Sequence, residues 1–399
     1  MLKMSDTPIS KEMEELNRLI EKDIELDRRK KEVSEKDLTL REHRVNRDLA
    51  ELLLNQSEME QAKSVSFGEM NAEAIAQLVA ENEDYMEAAK HSMTFINKEF
   101  KAIVPFFRKN LILICGDTGD GKSTSVANSA FSVISQKNPA TGKSCRVLVL
   151  TNEEKPEDFY NRITCLAKGW KYANHDQFND EQRKTFREFI PKLAQNGRLT
   201  VIGDVYQGVP GFTTTVEGIA TVFANLLKEM ETTKQIPYDA IIIDYYQNIN
   251  SSKMNPKLNE YECQRKLANL LDQMKNRYPG PIVLMAQIKK LANEDDTTPF
   301  NIRLKGSKLI CDKCTFICEL IPERQLLRSK WTVWKSRFTE AVGQSVYTGY
   351  DRGKFVPYST DFQKNVAKLV EKNLERAREQ QLGMGSEEPE TTNDPTESS

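Results

Sequence analysis

Leu111-Ile-Leu-Ile-Cys115-Gly116-Asp117-Thr118-Gly119-Asp120-Gly121-Lys122-Ser123-Thr124 is an apolar run that breaks into a glycine-rich turn. A helical pattern follows over 125–136, so the turn satisfies G-x-x-x-x-G-K-[ST] between a strand and a helix. The glycines let backbone N–H groups turn inward around phosphates. The N-terminus of the helix adds partial positive charge at the same point. The pattern predicts a nucleotide cradle made by Gly116, Asp117, Thr118, Gly119, Asp120, Gly121, Lys122, Ser123 and Thr124. Lys122 should reach the β- and γ-phosphates and Ser123 Oγ should be a Mg²⁺ ligand, so ATP and Mg²⁺ are the predicted cofactors.

Further short apolar runs follow this loop, at 146–150, 199–202, 240–244, 282–286, 331–334 and 346–348, separated by helical stretches. Continuous Ile/Leu/Val runs of this length read as strands buried on both faces. Their alternation with helices predicts an α/β fold with a mainly parallel twisted sheet flanked by helices.

Three strand exits carry polar groups suited to nucleotide chemistry. Asp244 ends the 240–244 run and could hold Mg²⁺ through its water shell. Asn152-Glu153-Glu154 follows the 146–150 run and Thr151, and an acid there could orient and deprotonate an attacking water. Glu153 is the choice, with Glu154 the alternative register. Gln287 follows the 282–286 run and could sense the γ-phosphate, although a polar residue there often just ends a strand.

The flanks differ from this core. Residues 1–70 are charge-dense, with an apolar stripe too broken for a sustained coiled coil, and read as a helical extension that is either solvated or partner-docking. A helix is expected within 71–96, an ATPase core over 97–358 and a further helix over 359–382. The acidic tail, 383–399, is too poor in apolar residues to fold and is expected to be disordered.

With 57 basic and 59 acidic side chains the chain has no uniformly basic coat, which leaves a local basic groove as the way to bind nucleic acid. No apolar run approaches a membrane span and no secretory signal opens the chain, so a cytoplasmic protein with no membrane contact is expected. Seven cysteines fit a reducing compartment better than a disulfide framework. Cys311, Cys314 and Cys318 suggest zinc, but no fourth ligand lies nearby in sequence and core thiols are the preferred reading.

The order of these features resembles the RecA-like motor domain of DnaB-type replicative helicases, including phage-encoded members. The resemblance rests on the phosphate loop, on Thr151-Asn-Glu153 through Arg162, on Ile243-Asp244-Tyr245-Tyr246-Gln247, on Leu284-Met-Ala-Gln287, and on Lys335-Ser336-Arg337. It implies a ring of six subunits that burns ATP while moving on single-stranded DNA and unwinding duplex at a replication fork. It implies that Arg337 is an arginine finger inserted into the neighbouring subunit's site, with Lys335 beside it. It places Lys253 and Lys257, and Lys289, Lys290, Arg303 and Lys305, on two loops lining a DNA channel. It also places the Cys311 to Cys318 stretch on a helix turn and a buried strand. The family's primase contact does not carry over from its N-terminal domain, because the N-terminal segment departs from that compact domain, while a primase, a loader or other replisome proteins stay open as partners. A RecA-like strand-exchange ATPase and an ATP-gated loader or scaffold are the competing readings.

Overall fold

A computed structural model describes residues 92–383, with breaks at 102, 105, 107–108, 173–176, 206–210, 245, 251–258, 290–297, 299 and 338, together with 79, 80 and 83. The N-terminal extension over 1–70, almost all of the 71–96 helix, the acidic tail beyond 383, and Lys253, Lys257 and Lys290 lie outside the described residues.

The chain runs α1 (Lys98–Lys101), β1 (Leu111–Gly116), α2 (Lys122–Ile134), β2 (Val147–Thr151), α3 (Pro156–Lys168), α4 (Asp180–Gln195), β3 (Leu199–Ile202), α5 (Val216–Thr233) and β4 (Ala240–Asp244). It continues through α6 (Glu260–Arg277), β5 (Ile282–Gln287), α7 (Phe300–Arg303), α8 (Leu309–Lys313), β6 (Phe316–Glu323), β7 (Arg328–Ser336), β8 (Ser345–Asp351), β9 (Lys354–Pro357) and α9 (Thr360–Gly383). The nine strands form one sheet in the order β3-β2-β4-β5-β1-β6-β7-β8-β9. β1 to β6 pair in parallel, while β6-β7, β7-β8 and β8-β9 pair antiparallel. The helix turn and buried strand expected around Cys311 to Cys318 are α8 and the start of β6.

Alternating strand residues feed two cores, one per face. Leu111, Leu113, Leu148, Leu150, Ile241 and Ile243 pack with Phe223 of α5 and Leu267 and Leu271 of α6. Ile112, Ile114, Val147, Val149 and Ile242 pack with Val126 of α2 and Phe159 and Ile163 of α3. Helices therefore cover both faces, which is why these strands show no polar alternation. Aromatic rings extend the second core, with Phe100 edge-on to Trp331 at 4.6 Å between centroids and Trp331 edge-on to Phe355 at 5.2 Å.

Local signals set the helix starts. Asn179 and Asn259 each build a capping box, with Gln182 and Glu262 respectively. Thr215 caps α5 by accepting from the Gly218 N–H at 3.0 Å. Gly218 is required by close approach, since a Cβ there would overlap the Gly211 carbonyl oxygen and stand 2.7 Å from Phe212 Cα. Both neighbours are backbone and cannot rotate away. Gly218→Ala should destabilise the fold by about 1–3 kcal/mol, read as a lower urea midpoint with an unchanged m-value.

All seven cysteines are free and buried. Burial holds the Cys314 and Cys318 thiols well above their ordinary range, and no cluster of His, Cys, Asp or Glu among the described residues could hold a metal. No helix among the described residues is long and apolar enough to cross a membrane.

Candidate nucleotide site

The register explains how separate motifs meet. β1 pairs with β5 so that Gly116 lies beside Gln287, and β2 pairs with β4 so that Thr151 lies beside Asp244. The carboxyl ends of four parallel strands thus share one sheet edge, where open α/β sheets bind ligands. The Asn152 N–H donates to the Asp244 carbonyl oxygen at 2.8 Å, tying two of these exits together.

Between β1 and α2 the loop turns through Gly119 and Gly121, whose φ angles of 80° and 89° suit only glycine without strain. The Asp117 N–H donates to Asp120 Oδ2 at 2.7 Å and the Thr118 N–H to Asp117 Oδ1 at 2.8 Å. Lys122 Nζ folds back on the loop, donating to the carbonyl oxygens of Gly116 at 3.2 Å and Asp117 at 2.8 Å. Burial lowers its pKa, opposed by Glu153, Asp120, Asp244 and Asp117. A γ-phosphate could draw the ammonium off these neutral acceptors, because charge-assisted pairs are the stronger ones.

Asp244 is 2% exposed and its Oδ1 has no hydrogen-bond partner. Burial pushes its carboxyl up to about 7, with Glu153 and Glu154 adding to the effect, while Lys122 and a hydrogen bond from Ser123 oppose it. An orphaned buried carboxylate oxygen beside a serine hydroxyl is an oxygen donor set that fits a hard divalent cation.

Glu153 and Glu154 are held apart. Glu153 lines a cavity of about 330 Å³ with Lys122, Ser123, Thr124, Arg162 and Gln287, and its Oε2 stands 3.5 Å from Ser123 Oγ. Glu154 turns back toward α3, where Arg162 donates to its Oε1 at 2.8 Å from Nη2 and 3.2 Å from Nε. Glu153 therefore faces the cavity, and Glu154 acts on Arg162.

Gln287 joins the loop directly, its Nε2 donating to Thr118 Oγ1. Gln247 braces it from behind, accepting from the Gln287 N–H at 2.8 Å and donating to the carbonyl oxygens of Gln287 at 3.1 Å and Lys305 at 2.7 Å. Two further contacts, one of them by a residue to which the sequence reading gave no role, complete the rim. Arg324, from the β6–β7 hairpin, donates to the Gly119 carbonyl oxygen at 2.7 Å, and Arg162 closes one side of the cavity. Arg324 belongs to no local pattern, since it lies 205 positions from the glycine it touches, whereas Arg162 closes the stretch quoted for the resemblance.

Lys335 and Arg337 are not brought to this edge. Lys335 Nζ donates to the carbonyl oxygens of Cys311 at 2.6 Å and Asp312 at 3.1 Å, and Arg337 Nη2 to that of Asp312 at 2.9 Å. The Arg337 N–H donates to the Thr315 carbonyl oxygen, and the Thr315 N–H to that of Leu111, at the start of β1. The phosphate loop leaves the other end of β1. At about 3.3 Å per residue the length of β1 separates the two by roughly 16 Å.

The proposed DNA contacts divide. Lys289 is exposed at the exit of β5. Lys305 Nζ approaches Asp117 Oδ1 of the phosphate loop at 4.0 Å. Arg303 is a correction: it is 2% exposed and its guanidinium is paired with both oxygens of Glu319, at 2.8 and 2.6 Å, so it presents no charge to a DNA backbone.

A family model described as an AAA domain matches residues 98–293. The chain has an α/β RecA-like P-loop NTPase fold. Among solved structures, this RecA-like domain is similar to an isolated ATPase domain at TM-score 0.55 and 14% identity, covering 72% of this chain and 100% of that one. It is also similar to a DnaB-like replicative helicase solved for its interactions with primase, at TM-score 0.54 and 14% identity, covering 79% of this chain and 76% of that one. At such identity the likeness is one of fold. No curated protein sequence matches the chain.

Proposed function

We propose that the chain is the subunit of a ring-shaped, ATP-driven DNA helicase that moves on single-stranded DNA and unwinds duplex at a replication fork. The observation that carries this reading is the separation of Arg337 from the phosphate loop by the length of the central sheet. A cation that cannot reach its own site, placed on the opposite edge, is what a head-to-tail assembly uses to complete the next subunit's site. Such interfaces close into rings when the rotation permits.

In that assembly Lys122 and the loop N–H groups hold the β- and γ-phosphates. Ser123 and Asp244 would hold Mg²⁺ beside the nucleotide, where the ion would offset the negative charge of the phosphates. Glu153 orients the attacking water and accepts its proton. Gln287 meets the γ-phosphate, and Gln247 relays its position to the polypeptide at Lys305. Arg337 and Lys335 of the neighbour face the charge that develops on the transferred group. A second cavity of about 490 Å³ shares Thr124 and Arg162 with the first and carries Tyr172, Tyr350 and Arg352, which gives room for a base and ribose. Lys289 and the lysines of the two polar connections contact the DNA backbone.

Light scattering with a forked-duplex assay tests this. A closed hexamer whose ATP turnover rises with single-stranded DNA and which separates the fork is expected. An ATP-dependent filament that coats DNA without unwinding it, or a small assembly indifferent to DNA, would overturn it.

A further inference from the structure

The connection between Gln287 and Lys305 is closed at its base. An isolated antiparallel bridge joins Ile288 to Leu304. The Lys289 N–H donates to the Arg303 carbonyl oxygen at 2.8 Å and the Lys305 N–H to that of Gln287 at 3.0 Å. One side of this base touches the chain's own nucleotide site, because Gln247 grips Gln287 and Lys305 together.

The other side reaches a different element. Arg303 forms its two-pronged pair with Glu319 of β6 and sends a weak third bond to the Lys289 carbonyl oxygen at 3.4 Å. Its Nε is buried without a partner. Glu319 Oε2 also accepts from the indole N–H of Trp334 at 2.6 Å. The Trp334 ring stacks on Phe300 at 5.7 Å, with the Arg303 guanidinium 5.4 Å from its centroid. Trp334 is the residue immediately before Lys335 on β7, and it is 39% exposed.

A buried ion pair is a weak source of stability, since an apolar pair of similar volume often serves as well. Its geometric demand, however, is strict. The pair fixes two ends of a polar loop to the strand that carries the basic tip, through an aromatic ring that solvent reaches.

We propose that Arg303, Glu319 and Trp334 form a clamp that transmits the position of the DNA-contacting connection after β5 to the Lys335–Arg337 tip, and so to the neighbouring subunit's ATP site. All three are positioning residues that touch neither nucleotide nor DNA. The clamp rests on the helicase reading above. It adds to that reading a route by which DNA held by one subunit sets turnover at the next.

The test uses the full chain and three variants: Trp334→Ala, Trp334→Phe, and the paired replacement Arg303→Met/Glu319→Met, which avoids stranding one buried charge. Three quantities are read for each: turnover without DNA, affinity for a labelled oligo-dT, and stimulation of turnover by that oligonucleotide. Trp334→Ala and the paired variant should lose about tenfold of the stimulation, while basal turnover and affinity stay within about twofold. Trp334→Phe keeps the ring on Phe300 but loses the N–H donor, and should fall between wild type and Trp334→Ala.

Wild-type stimulation in all three variants would overturn the clamp and leave the helicase reading standing. A parallel fall in basal turnover or affinity would overturn it in favour of a purely structural role. A wild-type chain that neither binds oligo-dT nor responds to it would overturn the helicase reading, and the clamp with it.

Discussion

Arg337→Ala should lower ATP turnover by about 1,000-fold or more while the variant binds nucleotide normally, because a trans arginine supplies charge only as the phosphoryl group transfers. The substitution carries little folding risk. Arg337 is exposed and its guanidinium makes one hydrogen bond, to the Asp312 carbonyl oxygen, so stability should move by no more than about 0.5 kcal/mol. Mixing distinguishes a shared site from a self-sufficient one. Lys122→Ala subunits supply an intact Arg337 and Arg337→Ala subunits an intact phosphate loop. Two inactive preparations combined in equal amounts should regain about one quarter of wild-type turnover, the chance that a random head-to-tail seam pairs an intact loop with an intact finger. If the mixture stays as inactive as its components, Arg337 serves its own chain and the seam is lost as the place of catalysis. Steady-state turnover without DNA is the right measurement, since it counts seams without requiring all of them to act in sequence.

Such seams were legible in the sequence only as far as contiguous runs carry information. The phosphate loop and Asp244 could be read because each is a short apolar strand ending in its own chemistry, and parallel pairing then aligned those ends without further instruction. β6 was harder to see, because Glu319, Pro322 and Glu323 interrupt the apolar pattern of Phe316–Glu323. Glu319 is there for Arg303 and Trp334, partners 16 and 15 residues away. The same pairing explains the error over Arg303. In sequence it is one more cation in a polar loop, and only the fold shows it buried against a carboxylate. The choice between Glu153 and Glu154 likewise turned on Arg162, one helix later, whose hydrogen bonds claim Glu154. Polar residues announce their chemistry locally, while their partners are set by packing that no single run encodes.

That division between adjacent acids makes Glu153→Gln the second decisive substitution. The amide keeps the side chain's shape and can still meet Ser123 Oγ, which stands 3.5 Å from Glu153 Oε2. It cannot accept a proton at neutral pH, so kcat should fall by about 100- to 10,000-fold with KM for ATP little changed. Glu154→Gln should behave in the opposite sense. Its carboxylate does not line the cavity beside the phosphate loop and instead holds Arg162, which lines both cavities there. Weakening that pair frees Arg162 over Tyr172, whose ring it covers at 4.5 Å, and should raise KM by several-fold with kcat near wild type. Initial-rate kinetics over a range of ATP concentrations separates the two patterns. A collapse of kcat in Glu154→Gln together with a mild effect in Glu153→Gln would assign the base to the other register, and the cavity-facing geometry of Glu153 would then describe a binding contact rather than the group that takes the proton.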